Sequence, residues 1–471
     1  MGKYKYLANN IALFSISNFV SKILVFLLVP FYTNVLTTAE YGIADIFQVT
    51  LLLLVPALTL NAGEAALRFG IEYENRRGSI LYVGLTMVAK AAVLVAVAAG
   101  IGALFVEKQM KWYLFLFVIL FAANALYEFL VLYFQGCEKV QIVVCGSVFS
   151  TLIIIVCNIF FLLLIRIGLN GYLFSQMIAY VLAALLMLML DKKQTFDRFE
   201  PDSDLKKEML SYGKPMILYS TGSWINNASD RYLVAGLLGA GVNGLYGIAY
   251  KIPAILMVFQ RIFAQAWQMS ATKSYSDEQS EEFFNSMYKG YRMFMVLGCS
   301  GLILSVRLIA QFMFQKEFFE AWRFVPPLLI SVIFGALTGF LGSICLAHKD
   351  ARSMGIATLI GAVLNIVLNI VLIPCIGAMG AAIATAVSYF CMYAFAMYFV
   401  SKYVKLQVNF WFDGLVCSLL ILQSCVMILK VKYGYFIAGG IFLLLILLYL
   451  KQIITFLRGL LGGFYGKKSN K

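Results

Sequence analysis

The stretch EYGIADIFQ at residues 40–48 returns as LYGIAYKIP at residues 245–253, so YGIA recurs at an offset of 205 positions. At the same offset, without gaps, Ser15 meets Ser220, Leu28 meets Leu233 and Val29 meets Val234. Further on, Gly168, Gly171 and Tyr180 in GLNGYLFSQMIAY match Gly377, Gly380 and Tyr389 in GAMGAAIATAVSY, now 209 positions apart. Matches that keep their order and spacing over so long a stretch point to two halves built on one plan.

Composition says in which solvent those halves fold. Of 471 residues, 62% are hydrophobic and 13% charged, with a mean hydropathy of +0.87. The charged share is about half that of a globular protein. A water-soluble domain has no means of hiding that much apolar surface, whereas a bilayer accepts helices that are apolar all round and satisfy their own backbone. The runs are long and uninterrupted, which excludes barrel strands. The expected class is an all-α integral membrane protein.

A span needs about 20 predominantly apolar residues. On that basis fourteen helices are expected, near 7–36, 41–69, 79–105, 112–135, 140–165, 171–190, 210–236, 243–271, 285–312, 323–346, 353–374, 378–401, 411–429 and 434–458. Helix one then corresponds to helix seven and helix two to helix eight. An even number of helices separates the partners, so the halves run in the same direction, as a parallel pseudo-two-fold repeat. The expected organisation is an N-terminal lobe at 1–200 (helices one to six), with a polar linker at 191–210, and a second lobe at 210–402 (helices seven to twelve). Helices thirteen and fourteen and a basic tail follow at 403–471. Transporters with a site between parallel repeats share this plan.

The chain carries 37 Lys and Arg against 23 Asp and Glu, a formal net charge of +14. Placing both termini in the cytoplasm puts 24 of the basic residues on that side and only 7 in the outer loops, as the positive-inside rule requires. The basic balance is therefore topological, and no nucleic-acid partner is needed to explain it. MGKYKY leads straight into an apolar segment longer than a signal-peptide core, so the first helix is expected to be retained. The nine cysteines form no CxxC, and His348 is the one histidine. Zinc sites and Ser-His-Asp triads lack raw material, and no metal is expected. No Walker-type phosphate loop is present, which argues against direct use of ATP.

Ionisable residues inside a membrane are costly and usually face protein or water. In helix one, Ser15, Asn18 and Lys22 share a face; in helix seven, Ser220, Ser223 and Asn227 occupy the repeat-related positions, and the stripe continues to Asp230 and Arg231. Helix eight adds Lys251 and Arg261, helix three Lys90, and helix two Asp45, Glu64 and Arg68. The stripes read as the lining of a hydrated, electropositive cavity suited to a large anion, which Arg can bind bidentately. In the alternative, Glu64 and Arg68 neutralise each other as i, i+4 partners, Asp230 offsets Arg231, and Lys90, Lys251 and Arg261 snorkel to an interface. Asp45, Glu64, Arg68 and Asp230 are the candidates for ion coupling or gating. Pro30, Pro56, Pro215 and Pro253 lie in or near the repeat-related helices, where they permit kinks.

These residues resemble the polysaccharide flippases of the multidrug/oligosaccharidyl-lipid/polysaccharide exporter superfamily, the Wzx-type O-antigen and teichoic-acid exporters. The resemblance rests on SNFVSKILVFLLVPFYTNVLTTAEYGIAD, GEAALRF, LSYGKPMIL, RYLVAGLLGAGVNGLYGIAYKI and IGAMGAAIAT, which cover most of the chain in order. It implies a MATE-like fold of two six-helix lobes around a central cavity. It also implies a glycan on undecaprenyl pyrophosphate, flipped from the inner to the outer leaflet of a bacterial cytoplasmic membrane for surface polysaccharide biosynthesis. Alternating access without enzymatic chemistry is the implied mechanism, driven by exchange of H+ or Na+ or by consumption of product, with no cofactor. Partners would be the lipid-linked oligosaccharide, membrane lipids and, around them, a polymerase and glycosyltransferases. A cationic cavity agrees with Lys22, Arg231, Lys251 and Arg261. The drug-exporting branch typically places a carboxylate in helix one, where this chain has Lys22. A cation-coupled drug antiporter on the same fold, or a membrane enzyme acting on lipid-linked glycans, are the alternatives.

Overall fold

The computed structural model describes residues 26–191, 199–274, 280–348 and 350–466. Within these, side chains are described except at residues 218, 219, 223, 265, 266, 268, 269, 272–274, 280, 351 and 456–466. Among the described residues every regular element is a helix. The chain forms two compact units, Met1–Ala228 and Ser229–Lys471.

In the first unit the helices are α1 (Val29–Val35), α2 (Thr38–Leu58), α3 (Ala62–Glu72), α4 (Arg77–Gly102), α5 (Lys108–Gly136), α6 (Val140–Asn158), α7 (Gly168–Leu190) and the greater part of α8 (Ser203–Leu238). The start of α2 is written in TTAE: Thr37 Oγ1 accepts the Glu40 N–H at 3.2 Å, and Glu40 Oε2 accepts the Thr37 N–H at 2.9 Å. This reciprocal cap satisfies donors that a helix end leaves orphaned. Glu40 also holds another helix, because its Oε1 accepts the Leu169 N–H at 3.1 Å at the start of α7. The core gathers apolar side chains of α3, α4, α5 and α7, including Ile80, Leu81, Leu120, Phe121, Phe134 and Met187, all at or near complete burial.

In the second unit α8 ends, and α9 (Ala240–Ala249), α10 (Pro253–Ser274), α11 (Ser280–Met313), α12 (Val325–Ala347), α13 (Ala351–Ile376), α14 (Ala378–Val400), α15 (Phe410–Ile428) and α16 (Gly434–Gly466) follow. The apolar stretch of α12 is 78% buried, against 22–50% for the other candidate spans, so α12 is the hub of this unit. It packs against α10, α11 and α14. Helix α15 is tied to α11 by a buried ion pair between Arg292 and Asp413, and by Ser300, whose hydroxyl donates to Gln423 Oε1 at 2.7 Å.

The repeat is visible in the backbone. Gly168 (φ +53°) and Gly377 (φ +65°) both take a positive φ beside the starts of α7 and α14. A Cβ at Gly171 would come within 2.8 Å of Phe161, and one at Gly380 within 2.5 Å of the Leu372 backbone. Each glycine thus lets its helix approach the segment preceding it. Both YGIA segments are also interrupted downstream. The expected span 41–69 breaks after Pro56, where Leu60 and Asn61 take positive φ, and resumes as α3. The expected span 243–271 divides into α9 and α10, bent by 48° before Pro253. Pro253 has no N–H to offer the Ala249 carbonyl, which explains the second break, whereas Pro56 lies inside α2, before the first.

Among the described residues, eleven helices are long and apolar enough to cross a membrane, and α9–α10 counted as one span makes twelve. The seventh expected span falls within α8, which is not among them, and most of the first lies outside the described residues.

Candidate functional site

Ser15, Asn18 and Lys22 lie outside the described residues, as does the Ser223 side chain. The site is therefore built from the remaining candidates, unit by unit.

In the second unit a carboxylate is almost fully enclosed by protein. Asp230, near the C-terminal end of α8, is 3% exposed. Its Oδ2 accepts the hydroxyls of Tyr246 and Tyr250, both at 2.6 Å, and that of Thr385 at 3.4 Å. Its Oδ1 accepts the Arg231 backbone N–H at 2.9 Å. Tyr246 opens the second YGIA, and Tyr250 follows four residues later, so helical periodicity puts both phenols on one side. The network continues through α14 into α13. Asn365 Nδ2 donates to Thr385 Oγ1 at 3.4 Å, and Asn369 Nδ2 donates to Asn365 Oδ1 at 3.0 Å. Asn369 is fully buried, and its Oδ1 has no hydrogen-bond partner. A buried carbonyl oxygen without a donor costs free energy, and it adds an acceptor to a site rich in oxygen.

The Arg231 guanidinium lies 4.5 Å from the Tyr250 ring centre, a cation–π contact. Lys251 is half-buried in the break between α9 and α10, next to Tyr250. Arg261 is exposed, about two turns along α10 from the break. The structure thus joins Asp230 and Arg231 through Tyr250 and leaves Arg261 apart on its helix.

In the first unit Asp45 is buried on α2 at the position that Tyr250 holds in the repeat, near Tyr172. Polar pairs surround that region: Gln48 with Gln176 at 2.5 Å, and Asn158 Nδ2 donating to Tyr32 Oη at 2.8 Å. Glu64 and Arg68 both fall on α3, and the alternative in which they pair with each other is not what the structure shows. Arg68 meets Glu72 at 3.9 Å and stacks on Tyr212 at 4.7 Å. Both Glu64 and Glu72 lie four residues from Arg68, and the end of α3, where Tyr212 also stands, draws the guanidinium toward its C-terminal side. Asn227 is exposed on α8, while Ser220 donates to Asn61 Oδ1 at 3.3 Å, fixing the break after α2.

Several functional candidates were missed from sequence. Asn365 and Asn369 stand four apart in VLNIVLNIVL, a signal that was legible. Thr385 lies inside the repeated glycine motif. Glu128, exposed midway along α5 in ALYEFL, is a further intramembrane carboxylate. Among the described residues no group of three or more His, Cys, Asp or Glu could hold a metal ion, and the nine cysteines are free thiols. What the Asp230 network offers is a carboxylate with hydroxyl and amide oxygens, able to take a proton or a hard monovalent cation.

Comparison with known proteins bears on this geometry. A family described as "Polysaccharide biosynthesis protein" matches residues 7–269. The "Probable low-salt glycan biosynthesis flippase Agl15" of Haloferax volcanii is 24% identical over 216 residues, and the match spans 45% of each chain, less than half the length of that relative. Among solved structures, the lipid II flippase MurJ in an inward closed conformation superposes with a TM-score of 0.70 at 15% identity, covering 94% of this chain and 100% of that one. An inward-facing multidrug resistance MATE family transporter of the MOP superfamily gives 0.68 at 13% identity, covering 81% and 95%. The fold is the one those two transporters share.

Proposed function

The chain belongs to the family of polysaccharide biosynthesis proteins, and from that premise we propose that it is a flippase and not an enzyme. Its substrate is an oligosaccharide repeat unit linked to undecaprenyl pyrophosphate, moved from the inner to the outer leaflet of the cytoplasmic membrane by alternating access. Arg231 and Lys251 attract the pyrophosphate, and the prenyl tail stays in lipid.

The observation that carries the transport reading is the Asp230 network. A carboxylate buried beside a broken helix is a charge whose cost changes with protonation or cation binding, and the break supplies the element that can move. Loading and unloading Asp230 with H+ or Na+ biases that element. Support for a glycan cargo comes from the family and from a flippase name among the relatives. Reconstituted into liposomes with a fluorescent lipid-linked oligosaccharide, the chain is expected to expose the glycan to an external lectin or reductant well above protein-free vesicles. Exposure no faster than in those vesicles would refute the reading.

The shared fold with a MATE transporter favours one second reading, a cation-coupled exporter of small cationic compounds. Dye efflux from the same vesicles, without glycan flipping, would establish it.

A further inference from the structure

We propose that the first unit holds a separate binding site for a phosphate-bearing amphiphile, at a cavity lined by Lys90 and Lys206. The cavity is a half-open cleft of about 520 Å³ in which both lysines are exposed, within the size range of small-molecule sites. One wall is a stripe of α4, another the end of α2, and the third the segment that opens α8. On α8, Ser203, Lys206 and Leu210 follow the i, i+3, i+7 spacing that turns one helical face to the opening.

The charges in this cavity are sorted. Asp202 also lines it, but both of its oxygens are engaged: Oδ2 accepts from Arg76 Nε at 3.0 Å and from a second Arg76 nitrogen, and Oδ1 accepts the Leu205 N–H at 3.0 Å. Arg76 is likewise consumed. Among the described residues, Lys90 and Lys206 have no acidic partner within ion-pair distance, so the cavity presents two ammonium groups beside Leu58, Met87 and Leu210.

Depth selects the ligand. Lys90 stands thirteen residues into α4, about 20 Å along the helix from Arg77, well inside a hydrocarbon layer about 30 Å thick. Helical side chains lean toward their own N-terminus, which carries the Lys90 ammonium back toward the α8 segment and Lys206. A soluble anion has no use for the apolar wall of this cleft. A phosphate with a hydrocarbon chain does, its head between two lysines and its chain on the leucine and methionine wall, as basic pockets between membrane helices hold anionic headgroups. The network at Asp230 plays no part in this site, and the inference holds whether or not the chain moves a glycan.

Native mass spectrometry of the purified full-length chain, titrated with phosphatidylglycerol or phosphatidylcholine in detergent, tests it. One phosphatidylglycerol is expected to bind about tenfold more tightly than phosphatidylcholine. The K90Q/K206Q variant should lose that preference, and K90R/K206R should keep it, which separates lost charge from a damaged fold. Competition with a polyprenyl phosphate then names the source. Displacement assigns the site to the polyprenyl carrier, and failure to displace assigns it to a glycerophospholipid, either of which sustains the proposal. Equal binding of the two phospholipids, an unchanged preference in K90Q/K206Q, or displacement by inorganic phosphate at matched concentration would overturn it.

Discussion

Tyr246 and Tyr250, one helical turn apart at the C-terminal end of α9, both donate their hydroxyls to the same oxygen of Asp230 at 2.6 Å. Hydrogen bonds to a charged acceptor contribute about 1.5–3 kcal/mol each. Y246F and Y250F should each destabilise the protein by that amount in detergent unfolding. In a D230N background the same substitutions should cost less than about 1 kcal/mol, because the charge that strengthens the bonds is gone. Equal losses in both backgrounds would show that the phenols act through packing alone.

Repeat-related glycines give a second test. Gly168 and Gly377 both need positive φ, where alanine is strained, and Gly377, with ψ −153°, lies in a region that is essentially glycine's alone. A Cβ at Gly168 would also come within 2.3 Å of Glu40 Oε1, whereas Gly377 faces open space. G168A should therefore lower the unfolding midpoint through a clash that position 40 controls, whereas G377A should lower it through backbone strain alone. Shortening the carboxylate with E40D should ease G168A and leave G377A unchanged.

The buried Arg292–Asp413 pair fixes α15 to α11. Removing Arg292 leaves the half-buried Asp413 charge alone, so R292A should destabilise by about 1–3 kcal/mol. Replacing both, as R292M/D413L, should recover most of the loss, since apolar side chains avoid the desolvation of two ions. A double variant as unstable as R292A would mean that the pair itself holds α15 in place.

At the linker end, the Leu205 N–H and then Arg76 hold the Asp202 carboxyl below its ordinary value of 3.8. A depressed carboxyl contributes stability above its unfolded pKa and loses it as pH falls through the folded value. The contact between the 199–206 segment and α4 should therefore be intact at pH 7 and weaken below about pH 4. Hydrogen exchange at the start of α8 should report this in the wild type. The D202N variant should open more readily at pH 7 and show little change on acidification.

Legibility in the sequence followed the range of each interaction. Hydropathy reports the lateral environment of a helix, so the spans were readable, and the repeated glycines marked backbone constraints that recur as matching φ angles at residues 168 and 377. The breaks after Leu58 and Ala249 were only hinted at by Pro56 and Pro253, because whether a proline kinks or divides a helix depends on what satisfies the freed carbonyls. Choice of partner was least legible. Arg68 has carboxylates four residues away on either side, and Tyr212, far along the chain, helps decide between them. Asp230 was recognisable as costly, but Tyr250, Thr385 and Asn365 reach it or one another from other helices, through contacts that local spacing does not encode.

The most direct measurement is flipping of a lipid-linked oligosaccharide in proteoliposomes under imposed proton or sodium gradients, comparing wild type with D230N. Wild-type rates should rise several-fold with one inward gradient, and D230N should flip at a low rate indifferent to both gradients while retaining a folded thermal transition. A D230N protein that flips at the wild-type rate with the same gradient dependence would contradict a coupling role for the buried carboxylate.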